Sequence, residues 1–238
     1  MKIMRGNFLL IAFALAVFYF DGIHGHGMLM QPINRGSAWR KGFPTPVNYD
    51  DDGNYCGGLT VHQLNGGKCG ICGDDYKIPQ PRPNENTGVY GIGQIVETYK
   101  SGELIELVAK LTANHKGFFR FAICPLKHGK ELETEECFDK HPLTLENGTV
   151  RYQVPNDNSG DFEMKAYLPK GLTCEQCVLR WEYVAGNNWG ICENGISGKG
   201  CGPQETFRTC SDIKIVNIVF RGLLCFWNEN RFDMVFHI

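Results

Sequence analysis

The chain has 238 residues, 42% hydrophobic and 21% charged, with 29 Gly, 11 Pro and 11 Cys. Its 12% aromatic content, without any persistent heptad or short repeat, excludes a disordered, collagen-like or coiled-coil chain. A formal charge of −2 supplies no basic field for nucleic acid or acidic membranes.

The first residues read as a secretory leader. Lys2 and Arg5 precede an apolar run from Phe8 to Phe20 and a short polar stretch from Asp21 to Gly25. That run is too short to span a bilayer core of about 30 Å comfortably. Signal cleavage needs a small residue at the cut, so Gly25, with Ile23 two positions earlier, places it after residue 25. The mature, secreted chain is then expected to begin at His26, whose free amine and imidazole offer two nitrogen ligands from one residue. Secretion also sends the cysteines through an oxidising compartment where disulfides persist.

From His26 to about Pro83 the chain is rich in Gly, Pro, Asn and Asp and reads as long loops with short helical turns. A strand follows from Leu104, where Ile105, Leu107, Ala109 and Leu111 share one parity and Glu106 and Lys110 the other. The same parity carries on to Ala113 and His115. Further strands are predicted at Gly117–Cys124, Val150–Pro155, Phe162–Leu168, Cys177–Val184 and Thr206–Val216. Many short strands with few helices imply a mainly β protein, an immunoglobulin- or fibronectin-III-like antiparallel sandwich with long disulfide-stapled loops. Asn147-Gly-Thr149 is the one glycosylation sequon and lies in a turn. Residues 26–215 form the expected domain, and 216–238 an atypical tail whose interrupted apolar pattern fits neither a membrane span nor a lipid-anchor signal.

Two C-x-x-C pairs, Cys69/Cys72 and Cys174/Cys177, are about a hundred residues apart, far beyond zinc-ribbon spacing, and oxidation competes with thiolate coordination. Disulfides are therefore expected for Cys56, Cys69, Cys72, Cys124, Cys137, Cys174, Cys177, Cys192, Cys201 and Cys210, leaving Cys225 over in the tail. Cys124 with Cys137 and Cys192 with Cys201 are plausible local pairs, but sequence alone does not fix the connectivity.

The chemistry gathers around His26 and the segment Thr112-Ala-Asn-His115-Lys-Gly-Phe-Phe119. With them stand Asn48-Tyr-Asp-Asp-Asp-Gly-Asn-Tyr-Cys-Gly-Gly58, Trp181-Glu-Tyr-Val-Ala-Gly-Asn-Asn-Trp-Gly190 and Glu205-Thr-Phe-Arg-Thr-Cys-Ser-Asp212. Taken singly, His115 is an ordinary histidine, Phe207 a core aromatic and Glu205 a solvated charge. Together, in this order and behind that cleavage site, they resemble the lytic polysaccharide monooxygenases of auxiliary-activity family fifteen, common in arthropods, over roughly His26 to Ile215.

The resemblance implies a histidine brace for one copper ion, with His26 giving its amine and ring and His115 its ring. It places Phe207 at the axial position, where relatives carry Tyr or Phe, and Glu205 and Ala113 around the metal. Three nitrogen ligands suit tetragonal copper. Tyr55 is a candidate for stacking on sugar rings. The implied activity is oxidative cleavage of insoluble β-1,4-linked polysaccharide, chitin ahead of cellulose, with an external electron donor and O2 or H2O2 as co-substrate. No nucleic-acid or membrane partner is expected, and the protein is expected to be a monomer. The alternatives are a hydrolase, which would need two carboxylates about 5–10 Å apart, and a non-catalytic chitin-binding or matrix protein of the same fold.

Overall fold

The structure, a computed structural model, describes residues 25–217. The leader up to residue 24 and the tail beyond residue 217, with Cys225 and His237, lie outside the described residues. Two β-sheets pack face to face. One holds β1 (His26–Gln31), β3 (Leu104–Ala113), β7 (Gly160–Tyr167) and β5 (Thr144–Leu145), in that order. The other runs β2 (Glu97–Lys100), β11 (Thr206–Val216), β8 (Cys174–Val184), β4 (Phe118–Pro125), β6 (Tyr152–Gln153). All pairings are antiparallel except β2 on β11. A hairpin of β9 (Trp189–Ile191) and β10 (Ser197–Lys199) stands apart from both sheets. Two short helices, α1 (Leu59–Leu64) and α2 (Glu135–Asp139), lie in the connections.

The alternation of β3 comes out as read: Ile105, Leu107, Ala109 and Leu111 are buried between the sheets, and Glu106 is exposed. Facing them across the core are Phe119, Phe121 and Ile123 of β4 and Leu179, Trp181 and Tyr183 of β8. Three differences from the sequence reading have local causes. The segment read as loop from His26 onward begins with a strand, hidden from periodicity by register shifts after His26 and after Leu29. The strand expected at Val150–Pro155 shrinks to two residues, pairing only with Phe118 and Phe119. β2 escaped because Tyr99 is its single buried side chain.

All ten cysteines of the described residues pair, as Cys56–Cys69, Cys72–Cys210, Cys124–Cys137, Cys174–Cys177 and Cys192–Cys201. Cys69 and Cys72 thus go to different partners. Glu133 touches the Cys72–Cys210 sulfurs, but these are bonded to each other and offer no thiolate to a metal. The Cys72–Cys210 bridge spans 138 residues and ties the long N-terminal loops to β11; in the chain-entropy account so wide a loop is worth about 4–5 kcal/mol.

On the outer face of the second sheet, Glu182 of β8 lies opposite Arg120 of β4 and Arg208 of β11 and binds both guanidinium groups. Glu135 of α2 binds Arg208 and Arg180 beside them. Burial alone would raise the Glu182 carboxyl, but Arg208, Arg120 and Arg180 outweigh it and hold its pKa below the ordinary carboxylate range. A depressed folded-state pKa stabilises the fold above the unfolded value and is lost as pH falls through the folded one. Glu182→Gln should therefore cost about 3–5 kcal/mol at pH 7, the penalty for breaking a buried charge cluster. The gap between the two proteins should close as the medium is acidified below pH ~4. Thermal midpoints measured across that range check this, and a gap independent of pH would contradict it.

Candidate metal centre

Two backbone constraints bring His26 and His115 to one edge of the sandwich. His26 is the first residue of β1, and its register partner is Ala113, the last residue of β3. At Gly27 a Cβ would lie 2.5 Å from Leu111 Cδ2 and 3.1 Å from Trp181 Cη2. Only glycine lets the chain enter β1 so close to the core. Two residues beyond Ala113, His115 sits in the turn to β4, where Lys116 and Gly117 adopt φ of 57° and 85°. The Asn114 side-chain oxygen accepts the Lys116 amide at 2.7 Å, and a Cβ on Gly117 would collide with the Val184 carbonyl. Short polar side chains and glycine are what such a turn requires.

The second sheet supplies the floor. Tyr183 of β8 pairs with Phe119 on one side and Phe207 on the other, and its ring stacks on Phe207 at 5.5 Å and 24°. Its hydroxyl accepts the His115 backbone amide at 2.9 Å. Burial pushes the pKa of that hydroxyl up, so it stays protonated. Phe207 is fully buried, and Tyr55 of the loop before α1 packs half-buried between it and His26, with ring centroids 6.2 Å from each.

The polar side of the cluster is made by Glu205 and Asn187. Glu205 Oε2 lies 3.1 Å from His115 Nδ1, and Asn187 Nδ2 lies 2.8 Å from the same nitrogen. One ring nitrogen cannot donate to Glu205 and accept from Asn187 at once, so each tautomer of His115 satisfies one neighbour. Among the described residues Asn187 Oδ1 is buried without a hydrogen-bond partner. The Gly25 amide donates to Glu205 Oε2 at 3.3 Å, and a Cβ built on Gly25 would stand 3.0 Å from Phe207 Cζ and 3.1 Å from His115 Nδ1. The residue preceding His26 thus sits in a cradle formed by His115, Phe207 and Glu205.

Of the residues singled out in the sequence, His26, His115, Phe207, Glu205, Ala113 and Tyr55 meet at this edge. Asn147 lies in an exposed turn after β5, with its side-chain oxygen engaged by Thr149. Asn187 and Tyr183 were not singled out; they lie inside the Trp181–Gly190 motif, but nothing in its spacing marks them. A hollow of about 600 Å³ lies elsewhere, between α1 and the segment before β11, lined by His62, Gln63, Val184 and Pro203 among others.

Residues 26–213 match the family model described as lytic polysaccharide mono-oxygenase, cellulose-degrading. A solved structure of a lytic polysaccharide monooxygenase AA15 from Thermobia domestica in the Cu(I) state is 46% identical, with a TM-score of 0.78 over 80% of this chain and 98% of that one. No curated protein matches the chain. The geometry makes one prediction independent of these likenesses. Tyr183→Phe keeps the stacking on Phe207 but strips the His115 amide of its acceptor, and should cost about 1–3 kcal/mol in urea unfolding; an unchanged midpoint would remove Tyr183 from that role.

Proposed function

The chain belongs to the lytic polysaccharide monooxygenase family, and from that premise we propose that His26 and His115 hold its copper ion once cleavage after Gly25 has made His26 the first residue. The enzyme is a copper-dependent polysaccharide monooxygenase. The cradle is the observation that carries the assignment. In the uncut chain the His26 nitrogen is a peptide amide, which has no lone pair to give, and Gly25 fills the space between His115 and Phe207. Cleavage turns that nitrogen into an amine and empties the cradle in one step. The family match beginning at residue 26 supports the same boundary.

The residues present fit copper. Amine and imidazole nitrogens form a donor set that copper favours, and the orphaned Asn187 Oδ1 offers a buried polar group at the rim. When bound, copper supplies the redox chemistry that oxidises C1 or C4 of a glycosidic linkage, using dioxygen or hydrogen peroxide and an external electron donor. Phe207, buried against Tyr183, would close the inner side of the site with a hydrocarbon ring and contribute no ligand atom. Ala113, opposite His26, is small enough to leave the outer side open. Glu205 Oε2, relieved of the Gly25 amide, is placed to hold a proton or accept a hydrogen bond beside His115.

The substrate we propose is insoluble β-1,4-linked polysaccharide, with chitin ahead of cellulose because the arthropod relatives make and remodel chitin. The protein works outside the cell as a monomer, and among the described residues no helix is long and apolar enough to cross a membrane. Product analysis on chitin and on cellulose, with reductant and copper, should yield oxidised chain ends, more from chitin. Absence of such ends on both would overturn the reading.

Two protein forms test the ligand assignment. His115→Ala, and a chain that keeps Gly25 ahead of His26, should each lose tight copper binding in calorimetry. Affinity in the native form should fall in acid as the ligating nitrogens take up protons. Unchanged affinity in either altered form would count against the brace.

A further inference from the structure

We propose that Asn147 carries an N-linked glycan, added as the chain passes through the secretory compartment, on the edge of the first sheet opposite β1. The proposal goes beyond the copper reading and shares with it only the secretion of the chain. Asn147-Gly148-Thr149 is an acceptor triplet whose middle residue is not proline. Its exposure, the freedom of its amide nitrogen and its distance from His26 make it usable.

The triplet lies in the turn after β5, where every residue from Glu146 to Arg151 is exposed. Backbone bonds build that turn: Gly148 donates its amide to the Leu145 carbonyl, and Leu145 donates its own to the Thr149 carbonyl, both at 2.8 Å. Asn147 Oδ1 accepts the Thr149 amide at 3.0 Å and the Thr149 hydroxyl at 2.8 Å. With its oxygen held toward Thr149, the carboxamide presents its nitrogen on the other side, and among the described residues nothing takes that nitrogen. Asn34, Asn65, Asn84, Asn86 and Asn114 each commit the same nitrogen to a protein acceptor. A sugar on Asn147 Nδ2 therefore displaces no hydrogen bond of the fold.

The register places the sequon away from the histidines. β5 and β1 are the two outer strands of the first sheet. Glu146 donates its amide to the Lys165 carbonyl at 2.9 Å, Lys165 lies across from Glu106, and Ala113, the partner of His26, is seven residues further along β3. At about 3.3 Å per residue the sequon stands roughly 20 Å along the strand direction from His26, with β7 and β3 between them. A bulky, hydrated glycan there leaves the histidine edge clear.

The step is a group transfer without redox change. Asn147 Nδ2 bonds to the anomeric carbon of an oligosaccharide carried on a lipid diphosphate. The bond from that carbon to the diphosphate oxygen breaks, the lipid diphosphate leaves with the bonding electron pair, and the nitrogen gives up one proton. Donor and transferring enzyme belong to the same oxidising compartment in which disulfides such as Cys72–Cys210 form.

The test expresses the full chain, leader included, in insect cells, as native, Asn147→Gln, Thr149→Ala and Thr149→Ser. The secreted native protein should lose the mass of one glycan on treatment with peptide N-glycosidase. In heavy-oxygen water the label should enter at position 147, which separates enzymatic release from spontaneous deamidation of an Asn-Gly pair. Asn147→Gln and Thr149→Ala should be secreted without the glycan, and Thr149→Ser, which restores the hydroxyl, should keep it. Copper affinity of Asn147→Gln should equal the native value, and a weaker one would overturn the placement of the glycan away from the site. A secreted native chain that begins at His26 and is bare at position 147 would overturn the proposal and leave the copper reading standing. A chain retained in the cell with its leader uncut would overturn both.

Discussion

The register of β1 on β3 is the constraint on which the rest of the site depends. It sets His26 against Ala113, two residues before His115, so the side chains of two distant segments meet at one corner of the sandwich. A slip of one residue would turn every side chain of β1 to the opposite face. Gly27 enforces the register sterically, because the space a Cβ would take is already filled by Leu111 and Trp181. Trp181 begins a row of stacked rings, Trp181, Tyr183 and Phe207, that runs along the second sheet to the turn carrying His115. The first sheet thus brings the histidines together, and the second gives them a rigid floor.

The loops between β1 and β2 are held to that scaffold by charge and sulfur, because they have little apolar surface of their own. Arg35 is buried, and burial alone would lower its pKa; Asp212 and Glu133 keep it charged. Its guanidinium takes a bidentate grip on Asp212 of β11, with nitrogen–oxygen distances of 2.8 and 2.7 Å, and also reaches Glu133 and the Asn84 carbonyl. A buried cation is tolerated only when so fully paired. The Cys72–Cys210 bridge lands on the same stretch of β11. What the knot positions lies at the histidine edge: the anchored loops deliver Asp52 to the Gly27 amide and Tyr55 to the gap between His26 and Phe207.

These features were unevenly legible in the sequence, for physical reasons. β3 buries one face against the partner sheet, so alternation reveals it, and β4, β8 and β11 are apolar-rich runs of eight to eleven residues that stand out between turn residues. β1 carries two register shifts, β2 buries one side chain, and β9 and β10 have three residues each; none is long or regular enough to print a period. The ten disulfide cysteines were legible from composition and compartment, but the joining of Cys72 to Cys210 across 138 residues was not. His26 and His115 came from resemblance and the cleavage site, whereas strand parity contributed only that Ala113 and His115 share a side. Asn187 and Tyr183 act through a side-chain amide and a hydroxyl aimed by the fold, and single residues of that kind carry no periodic mark.

The position of Gly25 joins the scaffold argument to the proposed chemistry. In the uncut chain its amide engages Glu205 and its α-carbon faces Phe207 and His115, so the cradle exists before any metal can be held. The groups that form it are fixed by interactions that do not involve the leader: His115 by Tyr183, Phe207 by stacking, and Glu205 by its place directly before β11. Under the proposed processing, breaking one peptide bond needs no rearrangement of either sheet. It removes an occupant and converts one amide nitrogen into a ligand, which is the preorganisation a redox site needs if the cost of ordering it is to be met by folding instead of by metal binding.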